Sequence, residues 1–112
     1  MIDPRDEQRI IDILTAIYSI EEYVAAQAAL NDALADAIKC RLIVIGEASG
    51  ALSKESQERA SDVPWTSIKA FRNLLVHEYN ATDPQRLHSI VTFHLPQLKD
   101  AVIQLSETYY SN

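Results

Sequence analysis

A chain of 112 residues supports one domain with one modest core. Its two glycines and four prolines are too few for the closely spaced turns of a β-sandwich, so the composition points to helices. A formal net charge of −6 argues against a general polyanion-binding surface and confines any nucleic-acid contact to a local basic pocket on an acidic body. The longest apolar runs, such as "LIVI" at 42–45, fall far short of a membrane span. The charged start "MIDPRDEQRI" has no apolar segment of signal-peptide type, and the one cysteine, Cys40, cannot form an intramolecular disulfide. A cytoplasmic location is expected, with Cys40 as a small buried hydrophobe inside a helix and without a catalytic role.

Asp3-Pro4 is a helix start: Asp caps free backbone N–H groups, and Pro at the first helical position loses no bond. Ile10, Leu14 (or Ile13), Ile17, Ile20 and Val24 then recur at helical spacing. Asn31 caps a second helix whose apolar stripe is Leu34, Ile38, Leu42 and Ile45 and whose end falls near Leu52. Gly46 and Gly50 either weaken this helix or let another backbone come close. The segment "SKESQERASD" at 53–62 has no apolar residue except Ala60 and reads as an exposed connection with room for one helical turn. A third helix starts near "DVPW" at 62–65 and continues through Ile68, Phe71 and Leu75 to about Tyr79, with Asn80 as a C-terminal cap. Asp83-Pro84 repeats the start signal for a fourth helix, buried through Leu87, Ile90 and Val91. Pro96 predicts a kink or break near His94–Leu95, because it cannot donate to the preceding turn. Leu98, Val102 and Leu105 carry the last helix to about Tyr109. The expectation is all-α: one domain over 1–112, an up-and-down bundle of four to five helices with the last kinked or split at Pro96.

The polar residues concentrate on the third helix. Lys69, Asn73 and His77 lie four apart and form one column, with Arg72 on its flank. Arg72 and His77 are five apart, so either the long arginine bends round or the two converge with copies from a second chain. The set suits a phosphodiester. Histidine moves protons near neutral pH, arginine offers a planar fork to phosphate oxygens, asparagine orients a hydroxyl or phosphate oxygen, and tyrosine stacks on a base. RNA needs no metal for this chemistry, since its 2′-OH is an internal nucleophile. The plain reading of the same spacing is a solvated arginine and a histidine that favours the negative end of a helix.

"RNLLVHEY", Arg72 to Tyr79, resembles the R-x4-H-x-Y signature of HepT-like toxins in the HEPN superfamily, helix-bundle ribonucleases paired with a minimal nucleotidyltransferase antitoxin. "IGEASGALSKE" at 45–55 is similar to that family's second-helix ending, "DVPWTSIKAFRN" at 62–73 to the entry of its motif helix, and "HLPQLKDAV" at 94–102 to its last helix with the proline kink. The likeness runs from about residue 5 to 105. It implies a metal-independent endoribonuclease that works as a homodimer, with the motif helices of two chains meeting at a composite cleft for RNA. Carried over, His77 is the general acid/base and Arg72 stabilises the pentavalent phosphate. Asn73 and Lys69 are substrate-positioning residues, and products carry a 2′,3′-cyclic phosphate or its hydrolysed form and a 5′-hydroxyl. Tyr79 stands where one branch of the family receives AMP from its partner, which would fill the cleft with bulk and negative charge. Other branches are silenced by complex formation, and assemblies larger than the dimer can form with the antitoxin.

The chain departs from the pattern at His88, where the family often has a tryptophan; a partly exposed helix histidine is the simple reading, and His94 beside Pro96 reads as structural. His77, His88 and His94 lack the spacing of metal-ligand helices, so neither a metal nor a cofactor is expected. Glu78 reads as solvated. A competing reading keeps the fold without the chemistry: a nucleotide-binding or docking subunit of a nucleotidyltransferase. A third is a helical dimerisation module.

Overall fold

The computed structural model describes residues 2–26 and 31–110, and all regular elements among them are helical. Helix α1 spans Pro4–Ala26. The Arg5 N–H donates to the Asp3 carboxylate (2.8 Å) and the Glu7 N–H to the Asp3 carbonyl (3.0 Å), so Asp3-Pro4 opens the helix as expected. Its buried face is Ile10, Ile13, Ala16, Ile17 and Ile20; Ile13 rather than Leu14 enters the core, and Val24 is exposed. Helix α2 spans Asp32–Ala51, with the Asn31 side chain accepting from the Leu34 N–H at 2.8 Å. Leu34, Ile38, Leu42 and Ile45 are all buried. Cys40, expected inside, is exposed, because it lies about 200° round the helix from Ile38.

α1 packs against α2 and α6 (Leu95–Tyr110), and α4 (Trp65–His77) packs against α2. Between α2 and α4 lies α3, Lys54–Arg59, the short helix for which the exposed connection has room. Its anchor is polar. The Asp6 carboxylate accepts from the Ser53 N–H (2.9 Å), the Ser53 hydroxyl (2.5 Å) and the Ser56 hydroxyl (2.6 Å). The Ser56 hydroxyl also meets the Tyr109 hydroxyl (2.5 Å), over whose ring the Arg59 guanidinium lies 4.1 Å from the centroid. Asp6 and Ser56 are both buried, so three helices are joined through one satisfied polar knot.

Burial pushes the Asp6 carboxyl up, but the Ser53 and Ser56 hydroxyls and the Ser53 N–H outweigh it and hold it below its ordinary value. A carboxyl depressed in the folded state contributes stability that is present above its unfolded value, near 4, and lost as pH falls through the folded value. Asp6→Ala is therefore expected to cost about 1.5–3 kcal/mol at pH 7, the range for hydrogen bonds to a charged group. The cost should shrink below about pH 4. Urea unfolding of both proteins at pH 7 and pH 3.5 checks the sign, and a cost that does not fall with pH would contradict it.

The C-terminal part is one helical run in three pieces: α5 (Pro84–Ser89), a π-helical turn (Ile90–His94) and α6. Asp83 caps it, accepting from the Gln85 N–H at 2.9 Å. The Leu95 N–H reaches back five residues to the Ile90 carbonyl. This wider turn accommodates Pro96, which has no N–H to give, so the helix kinks and continues. The extra residue in the turn also shifts the apolar register. Leu87, Leu95 and Leu98 are buried, while Ile90 and Val91 are only half-buried and Phe93 is exposed. Among the described residues no helix is long and apolar enough to cross a membrane.

Candidate active site

Helix α4 carries the polar column. Pro64 precedes its first turn, and the Trp65 indole N–H fixes the entry by donating to the carbonyls of Gln57 and Ala60, both at 3.1 Å. Leu75 is fully buried, and Ile68 and Phe71 pack against the core at half burial. The opposite side of the helix bears Lys69, Asn73 and His77; Lys69 and His77 are exposed and Asn73 is half-buried. The helix ends at His77, two residues before the expected Tyr79, and a 3-10 turn follows over Tyr79–Ala81 in place of a cap at Asn80.

Arg72 is the best-held member of the set. Its stem lies on the backbone of Gly46: a Cβ built there would stand 2.6 Å from Arg72 Cγ and closer still to its Cβ. Gly46 thus lets α4 approach α2, one of the two roles open to it from sequence. Gly50 has no such neighbour among the described residues. The Arg72 guanidinium donates through Nη2 to the Glu47 carboxylate and through Nη1 to the Asn73 side-chain oxygen (3.0 Å), while its buried Nε has no partner among the described residues. Glu47 supplies a countercharge and Asn73 an orienting acceptor, so the fork is held in one attitude at the surface, 29% exposed.

Tyr79 is held by a different part of α2. The ammonium of Lys39, itself buried, donates to the Tyr79 carbonyl (3.0 Å) and lies 4.6 Å from the ring centroid. The Tyr79 hydroxyl donates to the Asp36 side chain (3.2 Å) and approaches the Asp36 carbonyl (3.3 Å). Burial first, then the hydrogen bond to Asp36 and its charge, with the Cys40 thiol nearby, push that hydroxyl up to about 12.

Arg72 and Asn73 are therefore brought together, and Tyr79 is pinned to α2. His77 stands at the end of α4 with no hydrogen bond among the described residues. Sequence reasoning missed Asp36, Lys39 and Glu47. With Gly46 they fall at spacings of three, seven and one along α2, a second helical face, but a polar face reads as solvated until another helix is laid on it. His88 is exposed, as expected, and His94 lines a groove elsewhere. That groove, about 590 Å³, runs between α4 and the π-helical turn with α6, over a floor of Leu42 and Ile45. The Arg86 guanidinium lies 4.9 Å from the Phe71 ring at its wall. None of Lys69, Arg72, Asn73 and His77 lines it, so the cavity and the polar column are separate features of α4. Among the described residues no three His, Cys, Asp or Glu side chains are grouped to hold a metal ion.

Residues 13–105 match the model of a family described as "Ribonuclease HepT-like". A protein of Methanocaldococcus jannaschii named as a gamma-glutamylcyclotransferase and candidate RNase is 29% identical, over 89% of this chain and 47% of its own length. A candidate RNase of Caldanaerobacter subterraneus subsp. tengcongensis is 34% identical, over 57% of each chain. A Thermococcus cleftensis protein named as a candidate ribonuclease HepT is 31% identical, over 79% of this chain and 84% of that one. The chain spans about half the length of the first two of these relatives. No solved structure matched the chain.

Proposed function

The chain belongs to the HepT-like ribonuclease family, and from that premise we propose that it is a metal-independent endoribonuclease, the cytoplasmic toxin of a toxin–antitoxin pair. The observation that carries the reading is the treatment of Arg72. An arginine placed for solvation alone does not need a glycine beneath its stem, a carboxylate from another helix and an asparagine beside it. That environment suits a fork that must meet a phosphate in a fixed orientation.

The reaction uses few groups. His77, exposed at the end of α4, takes the proton of a ribose 2′-OH or gives one to the 5′ leaving oxygen. The 2′-oxygen bonds to phosphorus, the bond to the 5′-oxygen breaks, and Arg72 meets the charge that builds on the phosphoryl oxygens. Asn73 holds the fork, and Lys69, exposed one turn away, contacts a neighbouring phosphate. Five helical residues separate Arg72 and His77 by about 7.5 Å along the axis and about 140° round it. In the proposed homodimer a second copy of α4 faces the first and brings one chain's Arg72 towards the other's His77. Tyr79, beside this column, is the position where a minimal nucleotidyltransferase antitoxin would add AMP and silence the toxin, alone or within a larger complex.

The test is purified full-length protein incubated with RNA in EDTA. Fragments ending in a 2′,3′-cyclic phosphate and starting with a 5′-hydroxyl are the expected products. Intact RNA, with no AMP on Tyr79 to explain it, would favour a nucleotide-binding or docking subunit instead.

A further inference from the structure

We propose that Asp36 of α2 is the proton acceptor that activates the Tyr79 hydroxyl for attack on a nucleoside triphosphate. The inference rests on the reading of Tyr79 as the modified residue and names the group that chemistry requires. The Tyr79 hydroxyl donates to Asp36 Oδ1 at 3.2 Å, the arrangement of a nucleophile with its general base. Among the described residues the titratable groups that face the tyrosine are Asp36, Lys39 and Cys40, all from α2. Of these, Asp36 is the carboxylate bonded to the hydroxyl.

The hydroxyl holds its proton tightly, pushed up to about 12, so at neutral pH the proton does not leave before the nucleophile reacts. It must be taken as the new bond forms. In that step Tyr79 Oη bonds to the α-phosphorus and the bond from that phosphorus to the bridging oxygen breaks. Pyrophosphate departs with the electron pair, and the phenolic proton passes to Asp36. The nucleoside triphosphate is brought by the transferase. Lys39 is the positioning residue: buried, bonded to the Tyr79 carbonyl and laid on its ring, it fixes where the hydroxyl points.

Full-length wild type, Asp36→Asn, Asp36→Glu and Tyr79→Phe are each incubated with a minimal nucleotidyltransferase, Mg²⁺ and ATP labelled at the α-phosphate. Label on the protein is followed against ATP concentration. Asparagine keeps an oxygen to receive the tyrosine hydrogen bond and cannot take its proton. Asp36→Asn is expected to lower kcat for labelling about 10²–10⁴-fold with KM for ATP unchanged and the same melting temperature. Asp36→Glu should restore part of the rate, and Tyr79→Phe should take no label. A wild type that is labelled while Asp36→Asn keeps its full rate overturns the role of Asp36 alone. A wild type that takes no label overturns Tyr79 as the acceptor and the proposal with it.

Discussion

His77→Ala is expected to lower RNA cleavage about 10²–10⁴-fold, the usual contribution of a positioned general acid or base. The fold should hardly notice. His77 is exposed at the last position of α4 and makes no hydrogen bond among the described residues, so its structural contribution is at most the favourable placement of a cation at a helix C-terminus. Initial rates on RNA in EDTA, set beside melting temperatures, separate the two roles. Full activity in a folded His77→Ala protein would remove His77 from the mechanism. Arg72→Lys completes the comparison. Lysine keeps the charge but cannot engage Glu47 and Asn73 with one planar fork, so activity should fall even though the net charge is unchanged.

Gly46→Ala should damage both stability and activity although glycine has no side chain to offer a substrate. The added Cβ meets the Cβ and Cγ of Arg72, atoms close to the α4 backbone, so the conflict is relieved by moving the helix rather than by turning a side chain end. Overpacking of this kind costs about 1–3 kcal/mol, partly offset by the roughly 1 kcal/mol that alanine gains over glycine in a helix. The larger effect falls on cleavage: a shift of about 1 Å in a positioned group can reduce a rate about 10²-fold. Gly50→Ala, four residues on with open space around it, is the control and should stabilise α2 by about 0.5–1 kcal/mol. Urea unfolding and RNA cleavage of the two variants decide the matter. Equal behaviour of Gly46→Ala and Gly50→Ala would mean that close contact of α2 and α4 is not needed to place Arg72.

The elements of this chain were largely legible in its sequence because their signals are local. Asp3-Pro4, Asn31 and Asp83-Pro84 each satisfy backbone groups within a turn, and each begins a helix where expected. Leu34, Ile38, Leu42 and Ile45 are buried because a helical period repeats within one segment. Pro96 announced a distortion through its missing N–H, though not that a π-helical turn would carry it. Where local signals were absent or polar, the reading stopped short of the contacts that hold a segment. The 53–62 segment is the mostly exposed connection with a short helix that was expected, but its polar anchor was not legible, because Asp6 lies 47 residues from Ser53. Cys40 looks like a core residue because small apolar side chains favour burial, yet the rotation of α2 turns it outward.

The candidate site divides the same way. Arg72, Asn73, His77 and Tyr79 stand within eight positions, so their chemistry could be read directly from the chain. How they are held could not. Glu47 clamps Arg72 from 25 residues away, and Asp36 reaches the Tyr79 hydroxyl from 43. The first pair exists because Gly46 lets α4 lie close on α2 and the second because the turn after α4 folds onto an earlier part of α2, and sequence spacing within one helix carries no information about which face another element will cover. The sequence by itself determined where the helices begin and which reactive side chains they carry. Only the tertiary structure decided which countercharges and acceptors those side chains meet, because such contacts come from the crossing of two helices.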